Sequence, residues 1–414
     1  MSTGQRFVRG LLIGLISAGL ALAFWHLGWL TTWEAKTWDW RAQLFARPVK
    51  ATDDIVLILL DQNSLDWAKE ENGLSWPWPR EVYGAIVSYC KRSGARALAF
   101  DVLFTEHSKY GVDDDAAFGD AIADFGRFAA AVFLGTQSGS QTGWPPNIHP
   151  PRIKPVLPAG EPMEAHLKTI TFGRATLPID PVARNAAMLS NVHLGPDPDG
   201  IYRRVRLFNR FDKAMLPSLG LGTYLAANPQ TTLKIETNRL VVGDKAVPID
   251  KEFNTILRYR GPAGTHKAYS AGAVLQSEIR ILSGETPTIR DPSAFKDKYV
   301  LFGFSAPGLY DLRSTPVGGV YPGVEIQATM LDNFLEGDFI QAFPVSGTYA
   351  LVVLLSVISA MLAMHFSKPL LSVPIGLIFI SIPILLALGA YMKGFWLPLA
   401  VQESGVAGSM LIAL

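Results

Sequence analysis

Apolar residues occur along this chain in two kinds of run. Toward the ends they form long stretches almost free of charge, and between positions 50 and 340 they form short blocks set among polar segments. The stretch 11–30 (LLIGLISAGLALAFWHLGWL) has no ionisable residue except His26, and about 20 such residues suffice to cross a bilayer. Two more such runs cover 345–366 and 370–392, and a fourth begins at 395. Inside the middle region, IVLILL at 55–60, AAAVFLG at 129–135 and YVLFGF at 299–304 are continuously apolar, and ALAFDVLF at 97–104 is so apart from Asp101. Continuous rather than alternating runs predict strands covered on both faces of a mainly parallel sheet. In this reading Asp61 ends the first strand and Asp101 lies within the second.

Helix patterns fill the intervals. Pro79 and Arg80 open EVYGAIVSYCKRSG, where Val82, Ile86 and Tyr89 or Cys90 share a face, Lys91 and Arg92 occupy the last turn, and Gly94 follows. The segment 113–126 starts with three aspartates, which favour a helix N-terminus. PGVEIQATMLDNFLEG predicts a helix with Val324, Ala328, Leu331 and Leu335 on one face and Gly337 as its stop. The segment 137–177 is rich in Pro and Gly and lacks a period, as an irregular surface excursion does. Beyond it, GPDPDGIYRRVRLF, LKIETNRLVVG and AVPIDKEFNTILRYRG supply short antiparallel strands. The expected class is α/β (mixed α+β): an extracytoplasmic domain with a mainly parallel sheet, plus all-α transmembrane segments.

Composition narrows the function. Hydrophobic residues make up 49% and charged residues 18%, with a net charge of +1, so nucleic acid is not an expected partner. A single cysteine, Cys90, leaves no internal disulfide. Arg6 and Arg9 precede the first apolar run without an acid, and Trp25, Trp29, Trp33, Trp38 and Trp40 cluster at and beyond its far end. The arginines place the N-terminus in the cytoplasm, and the indole rings favour the headgroup region at the far end. Ala21-Leu22-Ala23 also fits a signal-peptidase site, but the apolar run continues to Leu30, which favours an anchor; whether it is cleaved stays open. The expected layout is a cytoplasmic 1–10, a span at 11–30, an exported domain at 31–344, spans at 345–366 and 370–392, and a span over 395–414 ending ahead of a cytoplasmic output domain. That layout is the one expected of a multi-pass inner-membrane protein with its exported domain in the periplasm or outside the cell. His365 and Lys368 suit a cytoplasmic link, whereas Lys393 mildly violates the charge rule. Gln402 and Glu403 are expected to face neighbouring helices or to sit shallowly.

Catalytic signatures are lacking: no G-x-S-x-G, Walker A, H-E-x-x-H or paired Cys/His zinc spacing occurs. The seven histidines are scattered. Helix capping accounts for the aspartates at 113–115 more simply than a metal does. The D-x-D-G at 197–200 lacks the remaining ligands of a calcium loop. A ligand site can be placed by topology, since the crevice of an open α/β sheet lies beyond the C-terminal ends of its strands. Asp61, Asp101 and Asp311 would lie there, with Trp76, Trp78 and Arg80 from a nearby loop. An aromatic wall with an arginine and carboxylates suits a small polar or cationic ligand. Against this, the aspartates could simply pair with Arg80 or cap loop amides.

A series of stretches carries a more specific likeness: WPWPR at 76–80, AFDVLFTE at 99–106, PDPDGIYRRV, FNTILRYRGPAGTHKAYSAGAVL, and FKDKYVLFGFSAPGLYDLRSTPVGGVYPGVEIQATMLDNFL. From about Asp39 to Leu335 the chain resembles a type-two CHASE domain, an extracellular sensing module. The last stretch is the most specific, with its G-F-S turn, Asp311, Thr315-Pro316 and Pro322-Gly323-Val324-Glu325. The poorly matched insert near Trp144 could be particular to this chain. The resemblance implies a receptor with one span before the domain, usually three after it, and a cytoplasmic effector. An adenylate cyclase using Mg and ATP is the first expectation, a histidine or serine/threonine kinase an alternative; no cofactor is expected in the 414 residues themselves. An unknown small extracellular ligand, the lipid bilayer and a second copy of the chain are the expected partners, and Gly14 and Gly19 offer a small-residue surface for helix approach. Pro322, Gly323, Glu325, Leu331 and Leu335 are the expected signal-coupling positions. A membrane-tethered hydrolase is a further alternative, and it would need a nucleophile–base pair assembled from distant residues.

Overall fold

The apolar blocks become the centre of a seven-stranded sheet. The computed structural model describes residues 3–151, 153, 167–236, 238–309, 311–366 and 369–413. Its sheet strands are β1 (Ile55–Leu60), β2 (Ala97–Phe100), β3 (Phe128–Gly135), β4 (Arg174–Thr176), β5 (Met188–Asn191), β6 (Lys267–Ser270) and β7 (Tyr299–Phe304). They run in the order β6-β1-β7-β2-β3, with β5 parallel and β4 antiparallel against β3. All other pairings in this sheet are parallel: Ile55 faces Tyr299 on one side of β7, and Ala97 faces Tyr299 on the other.

Alternate residues of each strand enter two separate cores, which is why the blocks are apolar throughout. Val56, Ile58, Leu60, Leu98, Phe100, Val300 and Phe302 join one core with the helices Arg80–Arg92, Val112–Phe125 and Ala271–Leu282. Ile55, Leu57, Ala97, Ala99, Tyr299 and Leu301 join the other with the helices Leu219–Ala227 and Gly323–Glu336. Each of the Val, Leu, Ile and Phe side chains contributes about 1.5–3 kcal/mol by leaving water. Cys90 is buried in the first core, where burial pushes its thiol pKa up and keeps it unreactive.

Two expectations change. The strand expected over 97–104 ends at Phe100, so Asp101 lies just past it; its amide still donates to Phe302 O at 2.8 Å. The Gly323–Glu336 helix is not buried on one face only, because every residue from Gly323 to Phe334 is buried. Glu325, Thr329, Asp332 and Asn333 find partners inside the fold, and Gln327 accepts from Gly220 N while its Nε2 is buried without a hydrogen-bond partner among the described residues. Gly337 closes the helix in the left-handed conformation, with φ 79°.

The chain divides into two units, Ala46–Phe339 and Met1–Phe45 with Ile340–Leu414. The second contains the helices Thr3–His26, Thr31–Phe45, Val345–His365, Pro369–Met392 and Ala400–Ala413. Among the described residues two helices, Thr3–His26 and Val345–His365, are long and apolar enough to cross a membrane. The first starts ahead of the 11–30 run and stops short of its end, since the chain turns at Gly28 with φ 78°. These two helices pack at glycine: a Cβ on Gly14 would fall 2.4 Å from Val357 Cα, so Gly14 serves a contact within the chain. Gly19 faces open space. The run expected over 395–414 begins with the short strand Phe395–Trp396, paired with Gln341–Ala342, and continues as the helix Ala400–Ala413. Glu34 caps that helix, accepting from Leu399 N at 2.8 Å and Val401 N at 3.0 Å. Gln402 is buried and bonds to Pro398 O at 2.6 Å. Lys368, in the link expected to be cytoplasmic, lies outside the described residues.

Candidate sensor cleft

Beyond the C-terminal ends of β2, β3, β5 and β7 lies a cleft of about 620 Å³. Strand ends and the loops that follow them form it: Asp101–Leu103 after β2, Phe133 and Leu134 in β3, Val192–Leu194 after β5, and Phe304 closing β7. In a parallel sheet all these ends point one way, which leaves a common crevice where the connections diverge. Trp76, Pro77 and Arg80 approach from the loop and helix start between β1 and β2, and Asp311 and Arg313 from the segment after β7.

Of the residues expected at a site, the structure brings Trp76, Arg80, Asp101 and Asp311 together here. It places two elsewhere. Asp61 caps the Gln62–Asn72 helix, accepting from Ser64 N at 2.8 Å and Ser64 Oγ at 2.5 Å. Trp78 is core, 2% exposed and packed on Tyr83. Trp76, two positions away, remains exposed and stands edge-on to Phe304 at 5.5 Å. Neighbours in a short motif thus part company according to which side of the loop they occupy. Arg313, Phe304 and His193 were missed by the sequence reading. Phe304 and Arg313 lie in the stretch that carries the family likeness and His193 stands apart from it, and only the spatial convergence of strand ends singles them out as cleft residues.

The aspartate triplet at 113–115 works around Arg80. Asp114 accepts from the backbone N of Arg80 at 2.7 Å and of Glu81 at 2.8 Å, capping the Arg80–Arg92 helix from another element. Asp115 lies 3.7 Å from Arg80 Nε and takes a 2.9 Å bond with His107 Nδ1. The guanidinium lies over Phe104 at 4.7 Å and donates to Glu106 O at 3.1 Å. No group of metal-ligating residues occurs among the described residues. Asp197 and Asp199 in the D-x-D-G turn hold Arg203, with two contacts of 2.8 Å from Asp199. Both acidic motifs are thus occupied by protein partners.

Asp101 and Asp311 form the electrostatic centre of the cleft. Burial is the main force pushing the Asp101 pKa up to about 8; Asp311 adds to it and Arg313 opposes it. Asp311 is pushed up to about 6 by burial, against the pull of Arg313, whose Nη2 lies 3.2 Å from it. Two partly buried carboxyls near one guanidinium favour a state in which one carries a proton. Among the described residues no group donates a hydrogen bond to the Asp101 side chain.

The Gly323–Glu336 helix starts at this centre. Gly323 N donates to Asp311 O at 3.0 Å, and a Cβ on Gly323 would lie 2.5 Å from Asp311 Oδ1. The helix is packed equally closely on β7, since a Cβ on Gly303 would lie 2.5 Å from Val324 Cβ. Pro322 caps the helix start, Leu331 is fully buried, and Leu335 is half-buried with its carbonyl accepting from Lys245 Nζ at 2.8 Å. Glu325 is buried and accepts from Gly264 N at 3.0 Å. Its Oε1 lies 3.4 Å from His266 Nδ1, and His266 Nε2 lies 3.5 Å from Asp332. Asp332 also takes Arg260 Nε at 2.6 Å and Thr52 Oγ1 at 2.6 Å, and Asp338 takes both terminal nitrogens of Arg260. Burial lowers the His266 pKa, but hydrogen bonds and charge from Asp332 and Glu325 outweigh it and leave the value raised. This helix therefore links the cleft, at its first residue, to a buried ionic network along its length.

No curated protein and no solved structure matches the chain. A family model does, that of the CHASE2 domain, over residues 14–363. With that match running from the first apolar helix into the second, and a mixed α/β body between them, the chain belongs to the CHASE2 domain family of sensor domains.

Proposed function

We propose that this protein is a transmembrane signal receptor. Its α/β body lies outside the cytoplasm, and the cleft beyond the sheet receives a small ligand. Occupancy alters the Gly323–Glu336 helix, and the membrane helices carry that change to a cytoplasmic effector. A class III adenylate cyclase is the favoured effector, with Mg and ATP belonging to it rather than to these residues. A homodimer in the inner membrane is the working unit, because cyclase and kinase outputs of this kind act as pairs.

One observation carries the reading: the carboxylate of Asp311, in the cleft, lies against Gly323, the first residue of a helix buried from Gly323 to Phe334. A ligand that moves Asp311 must act on that helix, since packed interiors respond by discrete shifts rather than by continuous give. Gly337 ends the helix, and the apolar helix Val345–His365 opens shortly after it in sequence. Inserting a flexible Gly-Ser segment directly after Gly337 is expected to abolish the ligand dependence of effector output in membranes while ligand binding persists. Unchanged signalling would refute the route.

A further inference from the structure

We infer that the cleft recognises a small ampholyte, an α-amino acid with an apolar side chain, whose ammonium sits on Asp101 and whose carboxylate sits on Arg313. This rests on the reading of the cleft as the ligand site and specifies what enters it.

Three features converge. Asp101 opens onto the cleft with no protein hydrogen-bond donor among the described residues, so its acceptor capacity is open to a ligand. Arg313 lines the same space, and of the five N–H donors a guanidinium carries its contacts among the described residues are an Asp311 ion pair at 3.2 Å and the Tyr202 ring at 5.9 Å. A positive and a negative group with unfilled bonding positions thus face one cavity. The rest of the wall is largely apolar: Trp76 edge-on to Phe304, with Phe133, Val102 and Leu134. An amine alone would leave unfilled the Arg313 donors that Asp311 does not use, and a carboxylate alone would leave Asp101 without a donor; burying such bonding positions unfilled is unfavourable. Arg80, the other guanidinium of the lining, is already engaged by Asp115, Glu106 and Phe104.

The assignment has a proton signature. An ammonium beside Asp101 favours its ionised form, so a carboxyl protonated in the empty cleft releases its proton on binding.

The test uses the full chain in detergent micelles and titrates L-phenylalanine, phenethylamine and 3-phenylpropionate, with L-leucine as a second amino acid, by calorimetry in two buffers of different ionisation enthalpy at neutral pH. The amino acids are expected to bind and to release protons, and the amine and the acid to bind about tenfold more weakly or worse. Asp101→Asn and Arg313→Gln are each expected to weaken amino-acid binding about tenfold or more, with thermal melts reporting that the variants are folded; Arg313→Lys, which keeps the charge, recovers part of the loss. Binding of phenethylamine as tight as phenylalanine, indifference to Arg313→Gln, or no binding by any probe at millimolar concentration overturns the ampholyte assignment and leaves the receptor reading to the linker insertion. Amino-acid binding followed by unchanged output with the linker in place sinks the receptor reading and spares this one.

Discussion

The carboxylate of Asp311 rests on the α-carbon of Gly323, at a distance that leaves no room for a methyl group: a Cβ there would fall 2.5 Å from Oδ1 and 2.7 Å from Oδ2. Cleft and helix therefore meet through a contact that a Cβ at position 323 would force the Asp311 carboxylate to leave. Gly323→Ala is expected to push the carboxylate and the helix start apart, destabilising the fold by about 1–3 kcal/mol as overpacking does. The same variant should shift ligand affinity in the cleft, because Asp311 can no longer hold its position beside Arg313. Chemical denaturation and calorimetry on the variant read the two effects separately, and a variant neutral in both would mean that the contact transmits nothing.

The cleft carboxyls predict a pH dependence of stability. Asp101 titrates near 3.8 in the unfolded chain and is raised to about 8 in the fold. A carboxyl raised in this way contributes stability that is fully present below the unfolded value and lost as the pH climbs toward the folded one. Asp101→Asn removes that titration. Relative to wild type, the variant is expected to gain stability progressively from about pH 4 to about pH 8, as thermal melts across that range would record. Parallel pH profiles for the two proteins would show that Asp101 does not carry the proton.

The buried network behaves differently on its two sides. His266 is raised above 6.5, so its contribution is present below that value and declines as the pH rises through the native one. Asp332 is lowered below 3.8: burial opposes this, but His266, Arg260 and Thr52 outweigh it, so its contribution holds above 3.8 and fails as the pH falls through the lowered value. Asp332→Asn leaves Arg260 and His266 buried with one fewer countercharge, and a loss of about 3–5 kcal/mol is expected at neutral pH. His266→Gln should flatten the wild-type decline above pH 6.5. Denaturant titrations at several pH values check both, and an undiminished alkaline decline in His266→Gln would assign it to another group.

Asp114 reaches from one helix to cap another. Asp114→Ala frees the amides of Arg80 and Glu81, which it accepts at 2.7 and 2.8 Å, and should destabilise the protein by about 1–2 kcal/mol. Arg80 is the cleft residue nearest this cap in sequence, so Asp114→Ala is also expected to weaken ligand binding modestly. Asp113→Ala, in the same triplet, serves as the control in both measurements.

Local rules suffice where one element decides its own state. The block IVLILL could only be covered on both faces, and it became β1 with the expected ends. YVLFGF did the same as β7, and Pro79 with Lys91 and Arg92 framed the Arg80–Arg92 helix. In each case covalent neighbours set the outcome, through backbone preference and the spacing of apolar groups. The rule that polar positions mark a solvent face failed at Gly323–Glu336. There Glu325, Gln327, Thr329, Asp332 and Asn333 are buried; Thr329 bonds to Tyr321 just ahead of the helix, and the other partners include His266, Gly220, Arg260 and Arg258 from distant parts of the chain. A carboxylate in the sequence looks the same whether it meets water or a guanidinium from a remote segment.

The sequence by itself determined the apolar ends and the four central strands of the parallel sheet, because these follow from which residues leave water. Only the tertiary structure decided that Asp61 caps a helix while Asp101 opens onto a cavity, that Trp78 is core and Trp76 is wall, and that Arg313 lines the same cavity as Asp101. Those roles depend on which distant backbone arrives beside each side chain, and long-range approach is set by the packing of the whole fold rather than by any stretch of it.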